Sequence, residues 1–430
     1  MLSIAFQTLG CKVNQYETDA MEQLFEDKGY LIIDFKEKAD IYIINTCTVT
    51  NMADKKSRQL INKARKNNKD AIIVVVGCYA QAIGEELKEK TNIDIVIGNN
   101  NKNRIVDIIE EYLSTNKVDS NIIDMNKINN YENLSISKVN DKTRAYIKIQ
   151  DGCNQFCSYC IIPYVRGRVR SRYKKEIIRE VNQLVQNGYK EVVLTGIHIA
   201  SYGIDLENTS LIDLIIELNK IKNLNRIRIG SLEPSLITEE FVSIISKIDK
   251  VCPHFHLSLQ SGCNDTLKRM NRKYTTDKFL QKVNILRTYY NNPSITTDII
   301  VGFPGETEDE FNQTYNYIKK VSFNDIHVFK YSQREGTKAT KLPNQVDANV
   351  KNNRSNTLIE LSKDLKYNYL NKFINTKQEV LFEDVVNIDN VTYNVGYTKR
   401  YLRVGLQTGN NLSNQMIQVY ISAMLGDMLY

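Results

Sequence analysis

Between residues 143 and 335 of this 430-residue chain, an apolar run followed by a helical pattern recurs six times, and few folds accommodate that. Ala145 to Gln150, Val192 to Ile197, Arg226 to Ser231, His254 to Gln260, Thr296 to Gly302 and Asp325 to Tyr331 read as strands. Lys175 to Gln186, Leu211 to Lys222, Glu239 to Ile248, Asp277 to Tyr289 and Asp309 to Lys319 read as the helices that follow. Such alternation builds parallel βα units. Six units without a plausible seventh and eighth predict an open, partial (β/α)6 barrel, and in βα barrels the loops after the strands carry the chemistry. The loop after the first strand holds Cys153-Asn-Gln-Phe-Cys157-Ser-Tyr-Cys160.

Iron–sulfur clusters are held by Cys thiolates, normally four to a cluster. Three at C-x₃-C-x₂-C spacing would therefore leave one iron open to a further ligand, and an open site implies chemistry. The competing reading is structural zinc, but no fourth Cys or His lies close by; His198 is the next His downstream. The chain has eight Cys, and its N-terminus has neither a basic region nor an apolar stretch of signal-peptide length. A cytoplasmic protein with reduced thiols and no membrane partner is the expectation.

Residues 1 to 115 alternate strands (Ile4 to Leu9, Ile41 to Thr46, Ala71 to Gly77, Ile93 to Gly98) with helices (Asn14 to Lys28, Ala53 to Asn67, Ile83 to Lys90). This predicts a parallel α/β domain, whose ligands bind at the carboxyl edge of the sheet. Cys11, Cys47 and Cys78 each follow a strand. Any one could be an inert buried thiol; converging on one crevice, they would make a second three-Cys cluster site. Residues 116 to 142 are polar and Asn-rich and read as a linker. Residues 143 to 370 take in the barrel and a helix from about Arg354 to Phe373. From 371 to 430, short Val, Ile, Tyr and Leu runs broken by Asn, Gly and Asp predict a small antiparallel β-barrel, making the whole an α/β multidomain protein.

The net charge of +7 suits an RNA partner without demanding one. Lys55 to Lys69 carries seven basic and no acidic residues, and Arg166, Arg168, Arg170, Arg172, Lys174 and Lys175 follow the cysteine run. Both read as solvated faces or RNA contacts. Tyr393, Tyr397, Lys399, Arg400, Tyr401 and Arg403 mix aromatic and basic groups suited to stacking on bases, although ordinary strand aromatics would look the same. Cys252, His254 and His256 alternate like metal ligands, but His256 more plausibly faces a cofactor pocket, and Cys263 has no assignment. Gly302, Pro304 and Gly305 resemble a phosphate loop, yet no Gly-Lys-Ser/Thr follows.

Taken together, Thr8-Leu-Gly-Cys-Lys-Val-Asn-Gln-Tyr-Glu17, Cys47, Cys78, the Cys153 to Cys160 run, Ile161-Ile-Pro-Tyr-Val-Arg-Gly-Arg-Val-Arg-Ser-Arg172, Ser231-Leu-Glu-Pro234, His256 to Gly262, Lys268-Arg-Met-Asn-Arg272 and Asp298 to Thr307 resemble the radical S-adenosylmethionine (SAM) methylthiotransferases. The resemblance covers nearly the whole chain. It implies one [4Fe-4S] cluster on Cys153, Cys157 and Cys160 that chelates SAM and yields a 5′-deoxyadenosyl radical. An auxiliary [4Fe-4S] cluster is implied on Cys11, Cys47 and Cys78, and an RNA-binding TRAM domain at the end. It also implies a SAM contact at Thr195 and Gly196; Glu233, Gln260 and Asp298 lie at later strand ends where they could reach the amino, ribose or adenine groups of SAM, and each could equally be structural. No catalytic residue beyond the cluster ligands is indicated. The N-terminal motif resembles the branch that methylthiolates N6-threonylcarbamoyladenosine at position 37, beside the anticodon of tRNA. The partners implied are the tRNA anticodon stem-loop, an electron donor and a sulfur donor. Isopentenyladenosine tRNA or a ribosomal-protein aspartate are the other substrates of such chemistry, and a non-catalytic iron–sulfur tRNA-binding factor is the alternative of another class.

Overall fold

The computed structural model describes residues 2–87, 93–117, 122–138 and 143–430. The N-terminal sheet is formed by β1 (Ser3–Thr8), β2 (Leu31–Ile33), β3 (Ile41–Thr46), β4 (Ile72–Gly77) and β5 (Ile95–Ile97), all parallel, in the order β2-β1-β3-β4-β5. β2 is absent from the sequence reading because three residues are too few to show a period. Buried apolar side chains cover both faces of the sheet, as its near-continuous Ile and Val runs require. The order reverses at β1, which has β2 on one side and β3 on the other. In open α/β sheets ligands bind at such a switch point, outside the carboxyl ends of the strands.

Helix α1 (Lys12–Asp27) follows β1, α2 (Asn51–Asn67) follows β3 and α3 (Cys78–Ile83) follows β4. The helix expected at Ile83 to Lys90 extends outside the described residues; the helix before it starts at Cys78 itself. Gly77 adopts φ +94°, and a Cβ there would lie 2.5 Å from Asn45 Oδ1 and 2.7 Å from the Thr46 carbonyl. Only glycine turns the chain straight from strand into helix at that point.

The barrel strands are β6 (Arg144–Asp151), with β7 (Arg170–Ser171) antiparallel along its outer edge, then β8 (Glu191–Gly196), β9 (Arg226–Ile229), β10 (His254–His256), β11 (Ser294–Val301) and β12 (Asp325–Lys330). β6, β8 and β9 form one parallel run and β10, β11 and β12 another. Parallel bridges at Ile227↔Val251 and Leu232↔Leu257 join the two runs. β10 is shorter than its apolar pattern suggests; beyond His256 the contact with β11 resumes as an isolated parallel bridge at Gln260↔Ile299, where Gln260 takes φ +71°. Capping boxes at Ser210/Asp213 and Thr307/Glu310 fix two helix starts.

Alternation along the strands gives the barrel two different faces. Phe255, Leu257, Ile295, Ile299 and Ile326 pack outward into the hydrophobic core, while His254, His256, Thr296, Asp298, Asp325 and His327 line a cavity. The residues from 122 to 138 connect the sheet to the barrel as a packed strap, unlike the free tether their polarity suggests. Leu134 and Ile136 are buried in the barrel core, and Tyr16 donates a hydrogen bond from its hydroxyl to the Leu134 carbonyl at 2.7 Å.

After the helix Ala348–Leu370, β13 (Lys377–Ile388), β14 (Val391–Thr398), β15 (Arg403–Leu406), β16 (Met416–Tyr420), β17 (Met424–Leu425) and β18 (Met428–Leu429) form a sheet in the order β16-β13-β14-β15-β18-β17. It is antiparallel, as read from the sequence, except for one parallel step between β15 and β18. Arginines of the barrel, two of them fully buried, fasten it. Arg226 Nη1 donates to the Tyr397 carbonyl at 2.8 Å, Arg228 Nη1 to that of Lys399 at 3.0 Å, and Arg144 pairs with Glu383 at 2.8 Å.

Candidate functional site

Cys11 precedes α1, Cys47 follows β3 directly and Cys78 opens α3, so the three strand ends present three thiols at one edge. Their proximity is close enough to be felt electrostatically: burial raises the Cys47 thiol to about 12, and Cys78 and Cys11 push it the same way. A Cβ on Gly10 would lie 3.1 Å from Cys47 Sγ, so the loop holding Cys11 approaches Cys47 through a glycine. Asn14 braces this edge, donating to the carbonyls of Leu9 at 2.8 Å and Thr46 at 3.0 Å.

The loop after β6 holds the other group. Cys160 N–H donates to the Cys157 carbonyl at 3.0 Å, and Ser158 ties the loop to Met270 through a backbone bond of 3.0 Å. Burial raises Cys160 to about 12, with Cys157 and Cys153 adding to the shift.

Each group has an arginine N–H aimed at a sulfur. Arg166 Nε lies 3.3 Å from Cys78 Sγ and Arg272 Nη1 lies 3.1 Å from Cys157 Sγ. A charged donor is the partner of a thiolate or of a metal-bound sulfur, and a poor match for a neutral buried thiol. Two separate trios of thiols, each with a guanidinium beside it, fit iron–sulfur ligation with one open iron apiece.

Arg166 is also the hub of a buried charge network. It pairs with Glu17 at 2.9 Å and Asp151 at 3.0 Å, and donates to Asn14 Oδ1 at 2.8 Å; Lys148 pairs with the same two carboxylates at 2.7 Å each. Three cations facing it, Arg166 foremost, hold Glu17 well below the usual carboxylate range although burial opposes them. The sequence reading of a solvated or RNA-facing run is thus corrected: Arg166, Arg170 and Arg172 are buried, and Arg168 alone of the four is exposed.

Thr195, Gly196 and Asp298 line a cavity of about 570 Å³ that also receives Cys11, Lys12, His256, His327, Tyr397 and Arg400. Its volume suits a nucleoside-sized ligand. Gln260 and Asp298 line a second, smaller cavity of about 230 Å³ beside Tyr159 and Cys160. Glu233 lines neither. It is held by Arg272 Nη2 at 2.7 Å, next to Cys157. Asp298 receives hydrogen bonds from His256 and His327, each at 3.2 Å; despite burial, these hold its carboxyl well below the usual range. Sequence reasoning missed His327, Arg272 and Lys12, which carry no spacing signature. Cys252 does not join His254 and His256; it faces Arg228 in the interior, and His256 groups with Asp298 and His327.

The aromatic and basic mixture of the last segment turns inward. Tyr397 and Tyr401 stack at 4.6 Å, His254 stacks on Tyr401 at 5.1 Å, and Arg144 and Arg228 lie over Tyr401 at 5.0 and 4.8 Å. These rings form the cavity wall and the joint between barrel and C-terminal sheet, so they are not a free outer platform for bases.

Six parallel strands with a three-cysteine loop after the first define a radical SAM protein. Residues 147–318 match the Radical SAM superfamily, and residues 3–98 match a family described as Uncharacterized protein family UPF0004. A threonylcarbamoyladenosine tRNA methylthiotransferase of Bacillus subtilis is 44% identical, covering 98% of this chain and 94% of the relative. One from Aquifex aeolicus is 39% identical, covering 86% and 90%, and a tRNA-2-methylthio-N(6)-dimethylallyladenosine synthase of Alkaliphilus oremlandii is 37% identical, covering 96% and 89%. The chain belongs to the radical SAM tRNA methylthiotransferase family. [4Fe-4S] clusters and SAM are its cofactors. Among solved structures, the radical SAM methyltransferase TsrM from Kitasatospora setae shares the fold at 17% identity, with a TM-score of 0.56 over 77% of this chain and 75% of that one. No helix among the described residues is long and apolar enough to cross a membrane.

Proposed function

We propose that this chain methylthiolates carbon 2 of N6-threonylcarbamoyladenosine at position 37 of tRNA, beside the anticodon. The observation that carries this is the shared cavity: Cys11 of the sheet edge and Thr195, Gly196 and Asp298 of the barrel open onto the same space. The relatives named for threonylcarbamoyladenosine, at 44% and 39% identity, support that substrate over the dimethylallyl one.

Cys153, Cys157 and Cys160 would hold the cluster that binds SAM, and Cys11, Cys47 and Cys78 the auxiliary one. When bound, these groups supply a radical able to remove hydrogen from an unactivated C–H bond and a sulfur to put in its place, with a second SAM as methyl donor. The chain's own side chains orient and shield. Arg272 fixes Cys157 and Glu233 together, so that the Glu233 carboxylate stands beside the cluster loop. Asp298, kept ionised by its two histidines, is an acceptor for ligand hydroxyl or amino groups. Gly196 lines the larger cavity at the end of its strand, and Gln260 fronts the smaller cavity at Cys160.

The C-terminal sheet, read as TRAM-like, would meet RNA at the cavity rim through Arg400 and Arg403. The exposed Lys55, Lys56, Arg58, Lys63 and Lys66 on α2 add a basic face suited to phosphates. An electron donor and a sulfur donor are the further partners this chemistry requires, and the cytoplasm is where its tRNA substrate is found. The division into 1–115, a linker at 116–142, 143–370 and 371–430 belongs to the same proposal.

Nucleoside mass spectrometry of cells with and without the gene tests the proposal. Loss of 2-methylthio-N6-threonylcarbamoyladenosine is expected; its persistence, with loss of the dimethylallyl product instead, would transfer the assignment.

A further inference from the structure

The cavity below Cys11 continues past Lys12 into a recess of about 410 Å³ lined by Gln15, Thr143, Arg144, Tyr146 and Glu383, with Lys12 on the boundary of both spaces. The cations around the two spaces are already matched, except one; the recess also carries the exposed carboxylate of Asp384 at its edge. Arg144 pairs with Glu383 at 2.8 Å, Arg228 with Glu191 at 2.7 Å, Lys366 with Asp427 at 3.2 Å and Arg403 with Asp427 at 3.3 Å. Arg400 donates to the carbonyls of Asn291 and Asn292. Among the described residues Lys12 has no ion pair and no hydrogen bond through Nζ, which stands over the Tyr146 ring at 5.9 Å. A lysine open to a cavity and left without an anion is a site for an anionic ligand group.

Substrate chemistry says which group. In an N6-substituted adenine, C2 and C6 flank the same ring nitrogen and C6 bears the substituted amine, so an adenine presenting C2 toward Cys11 directs its N6 substituent along that same edge, which Lys12 shares with Cys11 in both spaces. A threonylcarbamoyl substituent ends in a carboxylate and a hydroxyl; a dimethylallyl substituent is wholly apolar. Apart from the Tyr146 ring, the recess is walled by polar and charged groups, among them Lys12, Gln15, Arg144, Glu383 and Asp384, and offers a dimethylallyl group little. We propose that Lys12 binds the carboxylate of the substrate's N6 substituent and thereby selects threonylcarbamoyladenosine, the inference resting on the reaction proposed above.

The test uses the reconstituted holoenzyme and three synthetic anticodon stem-loop RNAs. One carries N6-threonylcarbamoyladenosine, one its carboxamide analogue and one N6-dimethylallyladenosine. A charge-assisted hydrogen bond of the usual strength predicts that Lys12→Met raises the KM for the first RNA, and its Kd by fluorescence anisotropy, roughly tenfold. Lys12→Arg should keep most of the affinity. The wild type should lose about the same factor on the carboxamide RNA, and Lys12→Met should treat acid and amide alike. Equal weakening of acid and amide by Lys12→Met would assign Lys12 to a backbone phosphate and overturn the inference. So would a wild type that does not distinguish acid from amide, an arm that involves no variant and does not depend on how Lys12→Met folds. If the wild type turns over only the dimethylallyl RNA, it is the proposed substrate itself that falls.

Discussion

Arg166 sets its Nε 3.3 Å from Cys78 Sγ while its other nitrogens reach Glu17 and Asp151, so one buried guanidinium joins a sheet-edge thiol to the strand that precedes the Cys153 loop. Arg166 itself lies six residues after Cys160. The two cysteine sites therefore have a common structural anchor.

Substitution of Arg166 by Met should destabilise the protein by about 3–5 kcal/mol, because it removes the forked partner of two carboxylates in a dry interior, leaving Glu17 with Lys148 and Lys102 and Asp151 with Lys148 and a longer 3.8 Å contact to Arg170. Urea denaturation checks this. An Arg166→Lys variant restores a charge but not the forked contact to Cys78 and Asn14, and should recover part of the loss. A Met variant as stable as the wild type would show that the network does not hold the domains together.

Cys157→Ala and Cys47→Ala should each leave about half of the iron of the reconstituted wild type, if each trio carries one cubane. They should differ in chemistry. Cys47→Ala keeps conversion of SAM to 5′-deoxyadenosine in the presence of dithionite and loses methylthiolation, whereas Cys157→Ala loses both. Chromatography of the nucleoside products separates the two outcomes, and loss of SAM cleavage in Cys47→Ala would contradict the division of labour.

Gly77→Ala should cost about 2 kcal/mol or more, since a Cβ at φ +94° is strained before it meets Asn45 and Thr46. The same shift moves Cys78. Thermal unfolding and the iron content after reconstitution should fall together.

His327 has its pKa raised above the ordinary value, chiefly by its hydrogen bond to Asp298. Its charged form is therefore favoured by folding. That contribution is complete below the unfolded pKa of about 6.5 and is lost as pH rises through the higher folded value. Melting curves of wild type and His327→Gln should differ most below about pH 6.5 and converge in alkaline buffer. A constant difference across that range would assign the effect of His327 to packing. Because the ring is half exposed, the effect should also weaken in high salt.

The alternation of strand and helix, the Cys153 to Cys160 spacing and the strand-end positions of Cys11, Cys47 and Cys78 were legible in the sequence, because period and local spacing are properties of the chain itself. The parallel sheet and open barrel follow from that period. The direction of the arginines after Cys160 did not, because the same alternating pattern serves a solvated edge or a buried hub, and burial depends on Glu17 and Asp151 being brought there from elsewhere. Tyr397 and Tyr401 had the composition of an RNA surface; docking against Arg144, Arg228 and His254 turned them into a cavity wall. Likewise the pairing of His327 with Asp298, and the absence of any partner for Lys12, exist only once three distant segments close around one space. Sequence determined the elements and the thiols, and tertiary structure decided which charges met, since charge pairing in a dry interior depends on distances that no local pattern encodes.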